Sequence, residues 1–387
     1  MSFKIRASPK NKDNLLGGRN THISYGYASF ETPYRTALNK EYIASGDLPH
    51  EAKINNPISE FILDFNSKTV GNFLQGNGSY SKRKKNLLYG AQLMRQYPVL
   101  STIVTPTSFR IPISKIKLIF ELQNISDVSI MSLPPFEYKT IDEFSKVISD
   151  FTEAAYKIGK EAMPILHIDQ SSTNIKIFSD EFQALRKLRD ENDFCHIIGF
   201  KYNNIEKNPQ QFNEIYQHKD KDIWYHCFNV PKKNKKSNTA INHAPQNWGI
   251  DTVSPYTVTL SGQQIKGMFG GMKNISQDTI EIDKRFDSPT LGILNESLWE
   301  TRYNLDLHCD CDICKNLNLK QFKEKYSVEK NGDFNPKVLQ DAGRIHDLFS
   351  GNMEFEKSKD AVKSDDLPSY YNGHEFTRGK ISPPKIE

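Results

Sequence analysis

Short apolar or β-branched runs recur along most of this chain, and their spacing constrains the fold more than any other feature. They lie at Phe61–Asp64, Val99–Val104, Ile116–Phe120, Val128–Met131, Pro164–Ile168, His196–Gly199, Ile223–Phe228 and Trp248–Asp251. Their starts are mostly about 25–35 residues apart, the length of a strand plus a returning helix. Helical patterns fill several gaps. Between Thr140 and Ala162 the apolar positions Phe144, Val147, Ile148, Phe151, Ala155 and Ile158 step by three or four, with Thr140 placed to cap. Phe178–Asp193 and Pro209–His218 read as helices too. Alternating strands and helices imply a parallel sheet with helices outside, and about eight strands favour a closed (β/α)8 TIM-type barrel. No G-x-G-x-x-G follows an early strand, which weakens the open dinucleotide-binding alternative.

Residues 1–57 show no clear period and are expected to form an irregular extension, with the barrel over 58–300. A subdomain built around the cysteines Cys309, Cys311 and Cys314 and closing the barrel is expected over 301–355, and a polar tail over 356–387. The chain has 387 residues, with 23 Phe and 17 Tyr, enough for a large core. Lys and Arg number 51 against 47 Asp and Glu, a net +4 that permits a nucleic-acid partner without requiring one. No stretch is long and apolar enough for a membrane span, and the first residues carry charge without an apolar run, so no secretory signal is expected. A cytoplasmic, reducing compartment is expected.

Cys309, Cys311 and Cys314 are three of the five cysteines and fall inside six residues. A disulfide framework would spread them, whereas a tight turn can offer three thiolates to one zinc ion. The fourth ligand must come from elsewhere. His346, on an expected helix, is the favoured candidate, and His308, adjoining the cluster, is the competitor. Three thiolates and an imidazole leave no open position, so Zn2+ would be structural. Cys195 and Cys227 lie in apolar strand patterns and are expected to be core thiols.

Asp64, Gln170, Gly199 and Asp251 each fall at the end of an expected strand. In β/α barrels the C-terminal face carries the active site, although turns also begin with such residues. Two basic runs, Lys82–Lys85 and Lys232–Lys236, read either as solvated charge or as phosphate contacts.

The C-x-C-x-x-C with a downstream His, on a β/α chain of this length, resembles the tRNA-guanine transglycosylase superfamily. Other segments follow in the same order. Trp248–Pro255 resembles the strand that bears the nucleophilic aspartate, which implies Asp251 as nucleophile, and Phe61–Asp64 resembles the strand with a second aspartate, which implies Asp64 as general acid/base. Pro164–Gln170 and Cys195–Phe200 resemble the base-reading strands, implying base contacts from Gln170, Gly199 and Phe200, with Asp169 able to exchange roles with Gln170. Ile345–Leu348 resembles the zinc-histidine segment. The likeness covers roughly residues 58–355. It departs where Asp64 is followed by Phe-Asn-Ser, where only Gly199 stands for a Gly-Gly pair, and where Ser132–Phe136 lacks a base-reading aspartate. These departures are most similar to the DpdA-type DNA-guanine transglycosylases of bacteria and phages.

The resemblance implies exchange of guanine in DNA for a free, preQ0-like 7-deazaguanine base. Asp251 would attack the anomeric carbon to form a covalent aspartyl-sugar intermediate, with Asp64 moving the proton. A buried target must be flipped out of the stack or presented single-stranded, sandwiched by aromatics such as Phe136, Phe200 or Tyr256, with Lys232, Lys233, Lys235 and Lys236 on the phosphates. Two alternatives stay open: a tRNA substrate with the same mechanism, and a catalytically silent barrel that binds nucleic acid or partners an active subunit. A homodimer or partner modification proteins are compatible with each.

Overall fold

The structure is a computed structural model that describes residues 3–378 apart from 8–17, 27, 50–51, 77, 108, 170–171, 204, 220–221, 233–237, 241–243, 256–284, 305 and 365. Strands β1 (Phe3–Ala7), β2 (Thr21–Tyr25) and β3 (Ala28–Glu31) form an antiparallel sheet. The chain then runs through β4 (Tyr34–Arg35) and β5 (Ala37–Leu38), two halves of one extended run separated only by Thr36. β6 (Ser59–Asp64), β7 (Val99–Val104), β8 (Ile130–Leu133), β9 (Glu161–His167), β10 (Ile197–Lys201), β11 (Trp224–Val230) and β12 (Thr252–Pro255) follow.

These strands pair in parallel in the order β4-β12-β11-β10-β9-β8-β7-β6-β5. Because β4 and β5 are one run, pairing with β12 on one side and β6 on the other, the ring closes as eight staves. The expected α/β TIM-type barrel is therefore present. Helices α1 (Asn39–Asp47), α2 (Ser67–Leu74), α3 (Gly78–Met94), α4 (Ile116–Asn124), α5 (Ile141–Lys157), α6 (Ser172–Asn192) and α7 (Pro209–Gln217) lie between the strands. The helix Pro336–Lys363 packs against α1 and β4, where the barrel's last helix belongs. The Thr140 cap is formed, its hydroxyl accepting from the Glu143 amide at 3.2 Å. Among the described residues no helix is long and apolar enough to cross a membrane.

Four sequence expectations change. The described part of the N-terminal 57 residues is not irregular: it supplies the small sheet, α1 and the first stave. The sheet covers the N-terminal end of the barrel, where Ile5, Ile23 and Phe30 pack with Leu100, Ile130, Met163, Ile197 and Trp224. Ile116–Phe120 is the first half of helix α4, with Ile119, Leu122 and Gln123 buried at helical spacing; a five-residue apolar run does not by itself fix its period. Trp248 ends a 3-10 turn, Ala244–Trp248, and β12 starts only at Thr252. The tail is helical over most of its described length, through Lys363 and then Leu367–Asn372, with Val362, Leu367 and Tyr371 packed on the hairpin β13 (Arg285–Asp287) and β14 (Gly292–Leu294). Its apolar residues are too sparse among the charges to show a stripe.

Along each stave, alternate side chains point inward. A Cβ added at Gly199 would meet Met163 Sδ at 3.1 Å and Ile165 at 3.2 Å, which fixes the inward register of β9 and β10. Mid-barrel, the interior is polar. His226 Nε2 lies 3.2 Å from Glu60 Oε1, Thr36 donates to Glu60 Oε2 at 2.8 Å, and the Thr252 hydroxyl meets both His226 Nδ1 (2.8 Å) and Trp224 Nε1 (2.7 Å). Burial opposes ionisation of Glu60, but His226 and the hydroxyls hold its carboxyl below the usual range.

Candidate functional site

Inward register carries three ionisable side chains to the last layer at the C-terminal mouth: Asp64 on β6, His167 on β9 and Lys201 on β10. Lys201 and His167 are direct register partners on adjacent strands. The Lys201 ammonium donates to the Thr105 carbonyl at 2.6 Å, and His167 Nδ1 lies 3.3 Å from the Thr107 carbonyl, so both grip the segment that leaves β7. Arg83 reaches the Asp64 carbonyl at 3.3 Å from α3. Partial burial raises the Asp64 carboxyl above its ordinary range, opposed by Lys201, Arg83 and Lys40. Burial lowers Lys201, with Asp64 opposing. Burial, with Lys201 and Arg110 nearby, pushes His167 down to about 3, so its imidazole is neutral at physiological pH. Sequence reasoning named Asp64 and missed His167 and Lys201. The missed signal was parity: counting by twos from Gly199 along the strand reaches Lys201.

Asp251 is at the other end of the barrel. It precedes β12 and is fully buried beneath the N-terminal sheet. Arg19 donates to both its oxygens, through Nε at 2.9 Å and through a charge-paired Nη2. Thr21 and Thr32 donate to Oδ1 at 2.6 and 3.1 Å, and the Tyr225 amide to Oδ2 at 2.7 Å. A carboxylate enclosed this way is a structural anchor. The structure does not bring it to Asp64, because the strand it was expected to end is the strand it begins.

The other expected base contacts are distributed differently. Gly199 is mid-strand, in the barrel interior. Phe200 points outward and is fully buried against Phe178, Phe182 and Tyr225, so it is a core aromatic. Phe136 is stacked on Phe144 in the same core. Asp169 follows β9 at the mouth, where its carbonyl accepts from Gln211. Lys232 is paired with Asp347. Gln170, Lys233, Lys235, Lys236 and Tyr256 lie outside the described residues.

The cysteine cluster assembles as expected. The amides of Cys314 and Lys315 both donate to the Cys311 carbonyl at 2.9 Å, making the tight turn that gathers the thiols. His346, on the helix Pro336–Lys363, brings Nδ1 to 3.6, 3.5 and 3.1 Å from Sγ of Cys309, Cys311 and Cys314. The four ligand atoms lie within 4.8 Å of one another. A tetrahedral ion about 2.3 Å from sulfur and about 2.1 Å from nitrogen sets each S···N edge at roughly 3.6 Å, so the donor set fits a zinc-sized ion. The Phe286 carbonyl lies 2.8 Å from His346 Nε2, which keeps the proton there and leaves Nδ1 as the ligand. His308 packs against Tyr303 instead, with ring centroids 4.6 Å apart and the rings tilted by 51°. The cluster has no separate core: Cys311, Ile313 and Cys314 share one with Ala37, Ala44 and Leu48 of the barrel's first stave and helix.

No family model and no curated protein sequence matches the chain. Among solved structures it is similar to 3-dehydroquinate dehydratase from Enterococcus faecalis, with 12% identity and a TM-score of 0.37 over 62% of this chain and 94% of that one. It is also similar to the YdjI aldolase from Escherichia coli K12, with 9% identity and a TM-score of 0.36 over 84% of this chain and 93% of that one.

Proposed function

We propose that this protein is a pentosyltransferase that exchanges guanine in a nucleic acid, DNA in preference to tRNA, for a free 7-deazaguanine base. The reaction would run at the C-terminal mouth, and Cys309, Cys311, Cys314 and His346 would hold a structural zinc ion. The observation that carries the reading is Asp64, an inward carboxylate at the mouth with cationic groups around it. In this reading Asp64, not Asp251, is the nucleophile. Its oxygen bonds to the anomeric carbon as the glycosidic bond breaks, and the electron pair departs with guanine, which takes a proton from solvent water. The incoming base gives its ring proton to solvent, attacks the same carbon, and the carbon–oxygen bond to Asp64 breaks to restore the carboxylate. Two displacements retain configuration. Lys201 lies where it can stabilise negative charge on the departing base. Lys40 and Arg83 supply positive charge for phosphates, in place of the tied Lys232.

The test is uptake of a labelled 7-deazaguanine base into guanine-containing DNA and into tRNA at one salt concentration. Uptake into DNA that disappears in Asp64→Asn is expected. Uptake into tRNA alone rejects the DNA assignment, and uptake undiminished in Asp64→Asn rejects the nucleophile. A second reading, a catalytically silent nucleic-acid-binding or partner subunit, is favoured by one observation: the carboxylate of Asp251 is engaged by Arg19 at the barrel floor. Salt-dependent binding of either polymer with no uptake into it would support that reading.

A further inference from the structure

His167 Nε2 is buried and has no hydrogen-bond partner among the described residues. Buried polar atoms are nearly always satisfied, so an orphan in a mouth layer points to a group that arrives from outside. Its chemistry is set by the other ring nitrogen. Nδ1 faces the Thr107 carbonyl and therefore carries the proton, which leaves Nε2 as a lone-pair acceptor. The missing partner is a hydrogen-bond donor, an N–H or an O–H. Beside it, Lys201 has an ammonium with three donors, of which the Thr105 carbonyl takes one. The two residues are register partners on β9 and β10, both inward, with backbones about 4.8 Å apart. An acceptor and a donor side by side match a ligand that carries an N–H next to a carbonyl.

We infer that His167 and Lys201 read the lactam edge of a guanine-type base, His167 accepting from the ring N–H and Lys201 donating to the adjacent carbonyl. Guanine and a 7-deazaguanine share that edge, so one pair serves both the leaving and the incoming base. Adenine presents the reverse pattern, an acceptor at the ring nitrogen and a donor beside it, and would leave both protein groups unpaired. The inference rests on the mouth being the base pocket of the proposed exchange.

The experiment is calorimetric binding of free guanine, hypoxanthine and adenine to the full-length zinc-loaded protein and to its variants. Guanine and hypoxanthine, which share the lactam edge, should bind within about tenfold of each other, and adenine at least about tenfold more weakly. His167→Phe keeps the ring and removes the acceptor. It should weaken guanine about tenfold or more while zinc content and helix content stay put, and His167→Gln should recover part of the loss through its amide oxygen. Guanine binding that survives His167→Phe, or adenine bound as tightly as guanine, overturns the inference and leaves the exchange assay to be judged alone. His167-dependent guanine binding without base uptake into any polymer overturns the exchange and keeps the inference. Failure of the wild-type protein to bind guanine overturns both.

Discussion

Asp251 is a fully buried ionisable side chain and His167 a partly buried one, and their surroundings give them opposite consequences. Asp251 is matched by Arg19, Thr21, Thr32 and a backbone amide, so it ties the N-terminal segment to the barrel floor. Breaking such a pair leaves an uncompensated buried charge, which costs about 3–5 kcal/mol. Asp251→Asn should therefore lower the denaturant midpoint markedly while the folded fraction retains base exchange. Lost exchange at unchanged stability would return the nucleophile to Asp251. His167 is neutral in the folded protein down to about 3, held there by burial with Lys201 and Arg110 nearby. The unfolded imidazole takes a proton near pH 6.5, so between about 6.5 and 3 the unfolded state binds more protons and stability falls as pH falls. This one group contributes a slope of about 1.4 kcal/mol per pH unit in that window. His167→Phe should flatten the difference between unfolding free energies measured at pH 6 and pH 4. An unchanged slope would mean that the imidazole titrates normally.

Among the elements, the cysteine turn and the helix Pro336–Lys363 act as one unit, because His346 and the thiols sit in a core shared with α1. Removing the metal should loosen that whole patch, since ligation is coupled to folding. A Cys311→Ser/Cys314→Ser variant is expected to be purified without zinc and to show faster amide exchange in α1 and in the first half of the long helix. One equivalent of zinc retained by that variant would end the assignment. The adjoining hairpin is held to the same helix by Asp347, which accepts from the Phe286 amide at 2.8 Å and pairs with Lys232. Burial works against the charge on Asp347, but Lys232 and Arg285 hold its carboxyl below the usual range. α5, with its helical stripe and Thr140 cap, was legible from its internal period, whereas Val99–Val104, buried at all six positions, was marked only by its β-branched residues. Ile116–Phe120 was not legible, because a short apolar run fits a buried strand and a helix equally well.

For the whole molecule, the N-terminal sheet is the floor of the barrel. Ile23 and Phe30 cover Leu100, Ile130, Met163, Ile197 and Trp224, and Arg19 and Thr21 complete the shell of Asp251. Deleting residues 1–31 would expose that apolar layer and leave the Asp251 carboxylate without Arg19, so the product should be insoluble or aggregated by size-exclusion chromatography. A soluble monomer of native helix content would show that the floor is dispensable. The spacing of apolar runs determined the alternation of strand and helix, and the cysteine spacing determined three of the four residues that could hold a metal ion, because both are local patterns of a few residues. Which end of a strand a residue occupies is not local. Gly249–Ile250–Asp251 looks the same in sequence whether it ends one stave or opens the next, and only the pairing of Asp251 with Tyr225 and Tyr34 decides it. Closure through Tyr34–Leu38 was hidden for the same reason, since two-residue strands carry no period and gain their hydrogen bonds only from β12 and β6, far along the chain. The mouth depended on tertiary structure most of all. Asp64, His167 and Lys201 come from strands separated by many residues, and the closed parallel barrel is what aligns their last inward positions in one layer.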